Sequence, residues 1–479
     1  MKIYKEDMHY DETWDVLVIG SGFAGLAAAI EAREAGASVL VIEKMRSTGG
    51  NSRISDGGIA APGTDIQKKF GYDDSPDIFY QDMMKSGLAL NHPDLVKVVT
   101  ANAKEAFEWS RDELGVPYMD RIDIFGGHSA HRCYTPENIT GGTIVNRQLA
   151  RLKELNVEVR KAACFLEYIL DENGRIAGAL VKTGYDARNP GAGTESFVEA
   201  RKGIVLASGG FGADVGFRSQ HDPRLGASID TTNKPSATAE ALIETLRLGA
   251  MPVQLSHIQL GPWASPDEKG YGNGPMFSEY IVFQYGMIID PETGERFVNE
   301  LSDRKRLSDA ILETGRPCIG IADSAAVGIS GWDIGKAIKK QVVRVFETIE
   351  DLSGYYGIPL GPLKKTIKDF NKGITEGVDR AFGKPVLKNA APFRDPPYYA
   401  IRLWPKVHHV SGGVGIDVNA RVIDLDRKPI PGLFAAGEVT GGIHGANRLG
   451  SCAITECLVF GRIAGRRAAR SRLREQRGC

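Results

Sequence analysis

Residues 432–456 read Gly-Leu-Phe-Ala-Ala-Gly-Glu-Val-Thr-Gly-Gly-Ile-His-Gly-Ala-Asn-Arg-Leu-Gly-Ser-Cys-Ala-Ile-Thr-Glu: an apolar strand, a glycine-dense turn and a helix start. Such a turn brings backbone N–H groups and one fixed cation, Arg448, against a bound anion or a flavin ring. Near the other end, Gly20-Ser-Gly22-Phe-Ala-Gly25 follows an apolar run (14–20), opens a helical stretch (23–35, closed by Gly36) and precedes a second strand (38–43) ending in Glu43. The first two glycines permit a tight turn and close approach of a pyrophosphate. Gly25 lets helix and strand pack closely, and Glu43 can accept from ribose hydroxyls. With these features aligned, the motif reads as a dinucleotide site rather than a plain strand–turn–helix.

The expected dinucleotide is FAD. A second polar, glycine-rich run follows Glu43, with Gly49, Gly50, Asn51, Ser52, Ser55, Gly57 and Gly58 as candidate contacts. Ala207, Gly209 and Gly210 form a third close-approach turn, and Gly437 with Glu438 a fourth. A nicotinamide domain does not need these extra turns, whereas a two-ended flavin does. Ala24, Lys44, Ala163, Ser451, Ala453 and Ile454 complete the expected cofactor contacts.

The elements that must position these residues alternate between buried strands and helices. Strands are expected at 157–170 and 175–183, joined through the turn Asp171-Glu-Asn-Gly174, and at 203–210, another apolar run ending in glycines. Residues 256–405 differ in character, being rich in Gly, Pro and aromatics, with amphipathic helical segments at 335–352 and 363–372. The expected fold is α/β: a discontinuous Rossmann-like FAD-binding domain (residues 1–255 and 405–479) of the GR2 flavoprotein type, with an inserted α+β capping domain at 256–404.

Composition narrows the partners. The 479 residues are 42% hydrophobic and 25% charged with a net charge of −1, ordinary for a globular chain and without the positive field nucleic acid requires. A basic run at 462–477 reads as a solvated helix end. No apolar run reaches the ~18 residues of a membrane span. The charged start of the chain lacks a secretory apolar region. Six cysteines show neither CxxC pairing nor a CxxCH haem site, which suits reduced thiols in a cytoplasm, and no metal site is expected. Cys452 and Cys457 read as small residues packing a helix start.

GSGFAG (20–25), TGGNS (48–52), ERFVNE (295–300), KVHHVSGGVGID (406–417) and AAGEVTGGIHGANRLGS (435–451) resemble the fumarate reductase/succinate dehydrogenase flavoprotein family. The likeness is strongest to its soluble flavocytochrome c and urocanate reductase-like branch, and it spans residues 14–465. Membrane-complex members attach FAD through a histidine in the second glycine loop. Residues 51–61 contain none, so the FAD is expected to be non-covalent.

The resemblance implies an activity and a set of roles. Arg304, alone a solvated arginine among charged neighbours, becomes the catalytic acid, with Glu279 in its proton relay. His408 and Arg448 hold the substrate carboxylate, and His409 meets the flavin. Two adjacent strand residues point to opposite faces, so His408 and His409 cannot share one substrate group. The implied reaction delivers hydride from FAD N5 to the β-carbon of an α,β-unsaturated carboxylate, and Arg304 protonates the α-carbon. Arg448 and His408 stabilise the enolate-like charge that develops.

Two departures from the family matter. The family's Gln-x-His-Pro histidine, which holds a second carboxylate, is replaced by Gly261, and the arginine expected three residues after Glu279 is Val282. Fumarate is therefore disfavoured. The expected substrate is a monocarboxylate with a bulky, aromatic-tolerant distal group lying near Gly261, Trp263 and Tyr280. A separate electron donor (reduced flavin, an NADH-linked protein, or a haem or FMN protein) is expected. The alternative is a dehydrogenase running in the oxidative direction, such as a 3-ketosteroid dehydrogenase, although residues 444–448 lack that group's Tyr-Pro-Gly turn.

Overall fold

The structure is a computed structural model describing residues 3–4 and 9–471. The end of the basic run, Cys479 and most of the first eight residues lie outside the described residues. The chain divides into two compact units. The first comprises the chain up to Gly226, Lys234–Ile258 and everything from His409; the second comprises Ala227–Asn233 and Gln259–His408.

The first unit is built on a sheet that is nine-stranded among the described residues. Strand β1 (Glu12–Ile19) is central, parallel both to β2 (Val39–Glu43) and to the C-terminal half of β3 (Thr194–Leu206). Strand β4 (Pro429–Ala435) continues the parallel set beyond β3. Val16, Leu17, Val18, Leu40, Val41, Ile204 and Val205 are buried, as continuous apolar runs covered on both faces should be. Ile19 pairs with Ile42 and Leu206, and Leu206 pairs with Ala435. This register brings the carboxyl ends of four strands level, where open α/β sheets bind their ligands.

Helix α1 (Phe23–Glu34) follows β1 and lies against α2 (Cys452–Ala469), the last helix among the described residues. Their approach depends on glycines: a Cβ at Gly461 would stand 2.5 Å from Ala24 O, and one at Gly465 would stand 2.1 Å from Ala28 O. Arg462 and Arg466 both bind the Glu31 carboxylate, at 2.5 and 2.8 Å. The start of the basic run is thus an interhelical ion pair rather than a solvated end.

The hairpin expected after residue 157 is more complex. Glu158–Lys161 pairs in parallel with β2, whereas Ala163–Leu170 pairs antiparallel with Ile176–Thr183. Ala162, at φ +52°, breaks the run and sends its halves to different places in the sheet. The turn itself is as read: Asp171 accepts from the backbone N–H of Asn173 and Arg175, and Gly174 has φ +74°.

The second unit is α+β. Its antiparallel sheet runs in the order Met287–Ile289, Cys318–Asp323, Tyr398–Leu403, Val343–Phe346. Ile289, Ile319, Ile321, Leu352, Leu363 and Phe370 form its core beneath the helices Ile349–Tyr356 and Leu360–Glu376. The helix read at 335–352 is in fact Gly335–Lys339, the strand Val343–Phe346 and Ile349–Tyr356. Val343-Arg-Val-Phe346 carries the β-branched alternation that a helical period hid.

Candidate functional site

In the first unit a cavity opens at the carboxyl ends of the parallel strands. Its lining includes Gly20, Gly22, Ala24, Glu43, Lys44, Gly49, Gly50, Asn51, Ser52, Ala163, Ala207, Gly209, Gly210, Gly437 and Glu438. The glycines are required by close contact. At Gly20, with φ +107°, a Cβ would fall 2.2 Å from Ala207 O, and at Gly25 one would fall 2.0 Å from Gly20 O. The first turn is therefore clamped between α1 and the end of β3.

The Glu43 carboxylate stands at this turn, accepting from Ser21 Oγ at 2.5 Å and from Met45 N at 2.9 Å. Ser21 Oγ in turn accepts from Gly49 N at 2.9 Å, tying the first glycine loop to the second. Ser52 Oγ accepts from Phe23 N, and Asn51 Oδ1 accepts from Lys234 N. Lys44 Nζ reaches Thr238 Oγ1 at 2.6 Å and Glu240 at 3.2 Å. The motif glycines do not by themselves announce the contacts of Ser21, Phe23, Lys234 and Thr238. Lys234 and Thr238 lie about 200 positions from the loops they meet, and neither belongs to a glycine motif.

Other expected residues lie outside that cavity lining. Gly25 packs against Gly20, and Ser55 caps the second loop by donating to Ser52 O. A Cβ on Gly58 would meet Ser451 Oγ at 2.7 Å, so the second loop passes against the start of α2, while Gly57 (φ +85°) packs against Thr140 and Gly141. Ser451 has φ +63°, a left-handed conformation costly for a non-glycine residue, immediately before Cys452, Ala453 and Ile454 open α2.

A buried polar group surrounds Arg448. Arg448 Nη1 donates to Leu449 O at 2.8 Å. His409 Nδ1 lies 3.3 Å from Glu438, and its ring meets His444 edge-on at 5.5 Å. Burial pushes His409 down to about 4 and His444 down to about 3, with Arg448 adding to both. Glu456, accepting from Gly437 N at 3.1 Å, is pushed up to about 7 by burial. Nothing in residue type announces that His444 and Glu456 are buried beside Arg448.

In the second unit five expected residues come together. Arg304 is the first residue of the helix Arg304–Glu313, whose N-cap Asp303 accepts from Lys305 N and Arg306 N. The preceding ERFVNE segment is anchored by Arg296, which binds Glu300 at 2.7 Å and Asp379 at 3.0 Å. Arg304 Nη2 donates to Glu279 Oε1 at 2.6 Å, and Glu279 sits in a single π-helical turn, Ser278–Val282. Such turns are frequent at functional sites.

Arg304 also lies over the Trp263 ring at 5.8 Å, within cation–π range. Trp263 meets His408 edge-on at 4.7 Å, and His408 Nδ1 is 2.8 Å from Thr232 Oγ1. Trp263 covers Gly261, where a Cβ would be 2.9 Å from the indole. Tyr280 is fully buried against Trp332.

These features define a class, the FAD-dependent oxidoreductase flavoproteins. The chain belongs to the FAD binding domain family, whose model matches residues 15–454. It is 42% identical to the acrylate reductase flavoprotein subunit of Shewanella woodyi, over 95% of this chain and 91% of that one. It is 36% identical to a cytochrome-type fumarate reductase of Shewanella frigidimarina, covering 96% and 77%. The open form of a flavocytochrome c3 fumarate reductase superposes with a TM-score of 0.76 at 32% identity, covering 96% and 78%. FAD is thus the cofactor, and the glycine-cradled cavity, which side chains at Gly20 or Gly25 would disrupt, fits it. No helix among the described residues is long and apolar enough to cross a membrane.

Proposed function

We propose that this flavoenzyme reduces the C=C bond of an α,β-unsaturated monocarboxylate, with Arg304 as proton donor. The observation that carries this reading is the Arg304–Glu279 pair, largely buried and 2.6 Å apart. A guanidinium with a pKa above ~12 is a poor acid in water. It serves only when held rigidly and reprotonated at once, and Glu279 supplies both conditions. The named activities of the relatives, reduction of acrylate and of fumarate, support the same chemistry.

Bound non-covalently, FAD supplies the hydride. His408 and Arg448 hold the substrate carboxylate, and the Arg448 guanidinium with a His408 N–H donor stabilises the enolate-like charge that develops on it. The 2.8 Å contact between Thr232 Oγ1 and His408 Nδ1 fixes the orientation of the imidazole. Arg304 then delivers its proton to the α-carbon. Gly261 offers no second carboxylate partner, which disfavours fumarate.

Electrons come from a separate donor, a reduced flavin or an NADH-linked, haem or FMN protein. The five described cysteines are all free thiols, in keeping with a cytoplasmic setting. The oxidative alternative, on a 3-ketosteroid, has less support from the relatives. The test is anaerobic: holoenzyme reduced with dithionite is mixed with acrylate, crotonate, urocanate, fumarate or the saturated acid propionate, and flavin absorbance is followed. Reoxidation is expected with at least one enoate and not with propionate. Failure with every enoate would overturn the reading.

A further inference from the structure

We infer that Trp263 sets the substrate size, restricting the enzyme to short enoates of acrylate type; this rests on the proposed enoate chemistry. The sequence expectation is the opposite, a bulky distal group lying beside Gly261. The indole occupies that space instead. A Cβ on Gly261 would stand 2.9 Å from two carbons of the six-membered ring and 3.2 Å from a third. Gly261 does not have the positive φ that would require glycine, so the indole is the close obstacle to a side chain there. Gly261 and Trp263 are thus one steric unit, with the large residue filling what the small one leaves.

The ring is held by packing. Its neighbours are His408 edge-on at 4.7 Å, Tyr271 at 5.3 Å and the Arg304 guanidinium at 5.8 Å. Its buried N–H has no hydrogen-bond acceptor among the described residues. Trp263 is 1% exposed, a rigid aromatic wall beside both the residue proposed to hold the carboxylate and the proposed proton donor. A bulky β-substituent on a substrate held there would meet the ring. Truncating the ring removes no hydrogen bond and leaves the Arg304–Glu279 and His408–Thr232 contacts with their partners.

The test compares wild type, Trp263→Ala and the milder Trp263→Phe, the latter guarding against a folding failure of the former. Each is assayed for kcat and KM on acrylate, crotonate and cinnamate, and for binding of propionate and 3-phenylpropionate through flavin absorbance. Wild type is expected to favour acrylate and to bind propionate but not 3-phenylpropionate. Trp263→Ala should gain at least about 10-fold in kcat/KM on cinnamate relative to acrylate and should bind 3-phenylpropionate; Trp263→Phe should move the same way by less. A wild type that prefers cinnamate, or variants with unchanged acrylate:cinnamate ratios and unchanged binding, would overturn the inference while leaving enoate reduction intact. A wild type that reduces no enoate would sink the underlying reading instead.

Discussion

The Arg304 guanidinium and the Glu279 carboxylate form a hydrogen-bonded ion pair at 2.6 Å, one at the first position of an α-helix and the other in a π-helical turn. Twenty-five residues separate them in the chain, and both side chains are at least 87% buried. If Glu279 returns protons to Arg304, Glu279→Gln keeps the hydrogen bond and loses the proton. Its kcat on acrylate is expected to fall about 10²-fold with KM little changed. Steady-state kinetics check this, and a change confined to KM would assign Glu279 to binding.

Glu456 makes stability depend on pH. Its folded pKa, about 7, lies above the 4.5 of a free glutamate, so the folded state holds the extra proton between those values. The stabilisation is complete below the unfolded pKa and is lost as pH rises through about 7. Glu456→Gln keeps an oxygen for Gly437 N and abolishes the titration. Relative to wild type, its stability is expected to rise by about 1–3 kcal/mol between pH 5 and pH 8. Denaturant unfolding at both values measures it.

His409 and His444 act in the opposite sense. Their folded pKa values, about 4 and about 3, lie below the ordinary 6.5, so stability is present above that value and declines as pH falls toward 4. In a Glu456→Gln background, where the opposing group is silent, the thermal midpoint is expected to drop between pH 7 and pH 4.5.

The cofactor cradle rests on backbone contact. Gly25→Ala sets a methyl group 2.0 Å from Gly20 O and must push α1 off the sheet. The variant is expected to lose most of its flavin on gel filtration, read as the ratio of flavin to protein absorbance. Acid precipitation of wild type should release the flavin into the supernatant, as non-covalent binding requires.

The cofactor end of the molecule was legible because its signals are local. Gly20, Gly22, Gly25 and Glu43 lie within two strands and one helix, and their spacing carries the geometry. What remained hidden depends on distant or non-glycine residues. Ala162 adopts φ +52° with nothing in its type to announce it, so one expected strand became two. Thr232 meets His408 across 176 positions. The position of the Trp263 ring over Gly261 depends on how its side chain packs, which residue type does not encode.

Protonation of the substrate by Arg304 is open to a single kinetic experiment. Dithionite-reduced wild type and Arg304→Ala are mixed anaerobically with acrylate, and flavin reoxidation is timed by stopped flow. Rapid reoxidation is expected of wild type and a rate at least about 10³-fold lower of the variant, with flavin content unchanged. Reoxidation of Arg304→Ala at the wild-type rate would contradict it.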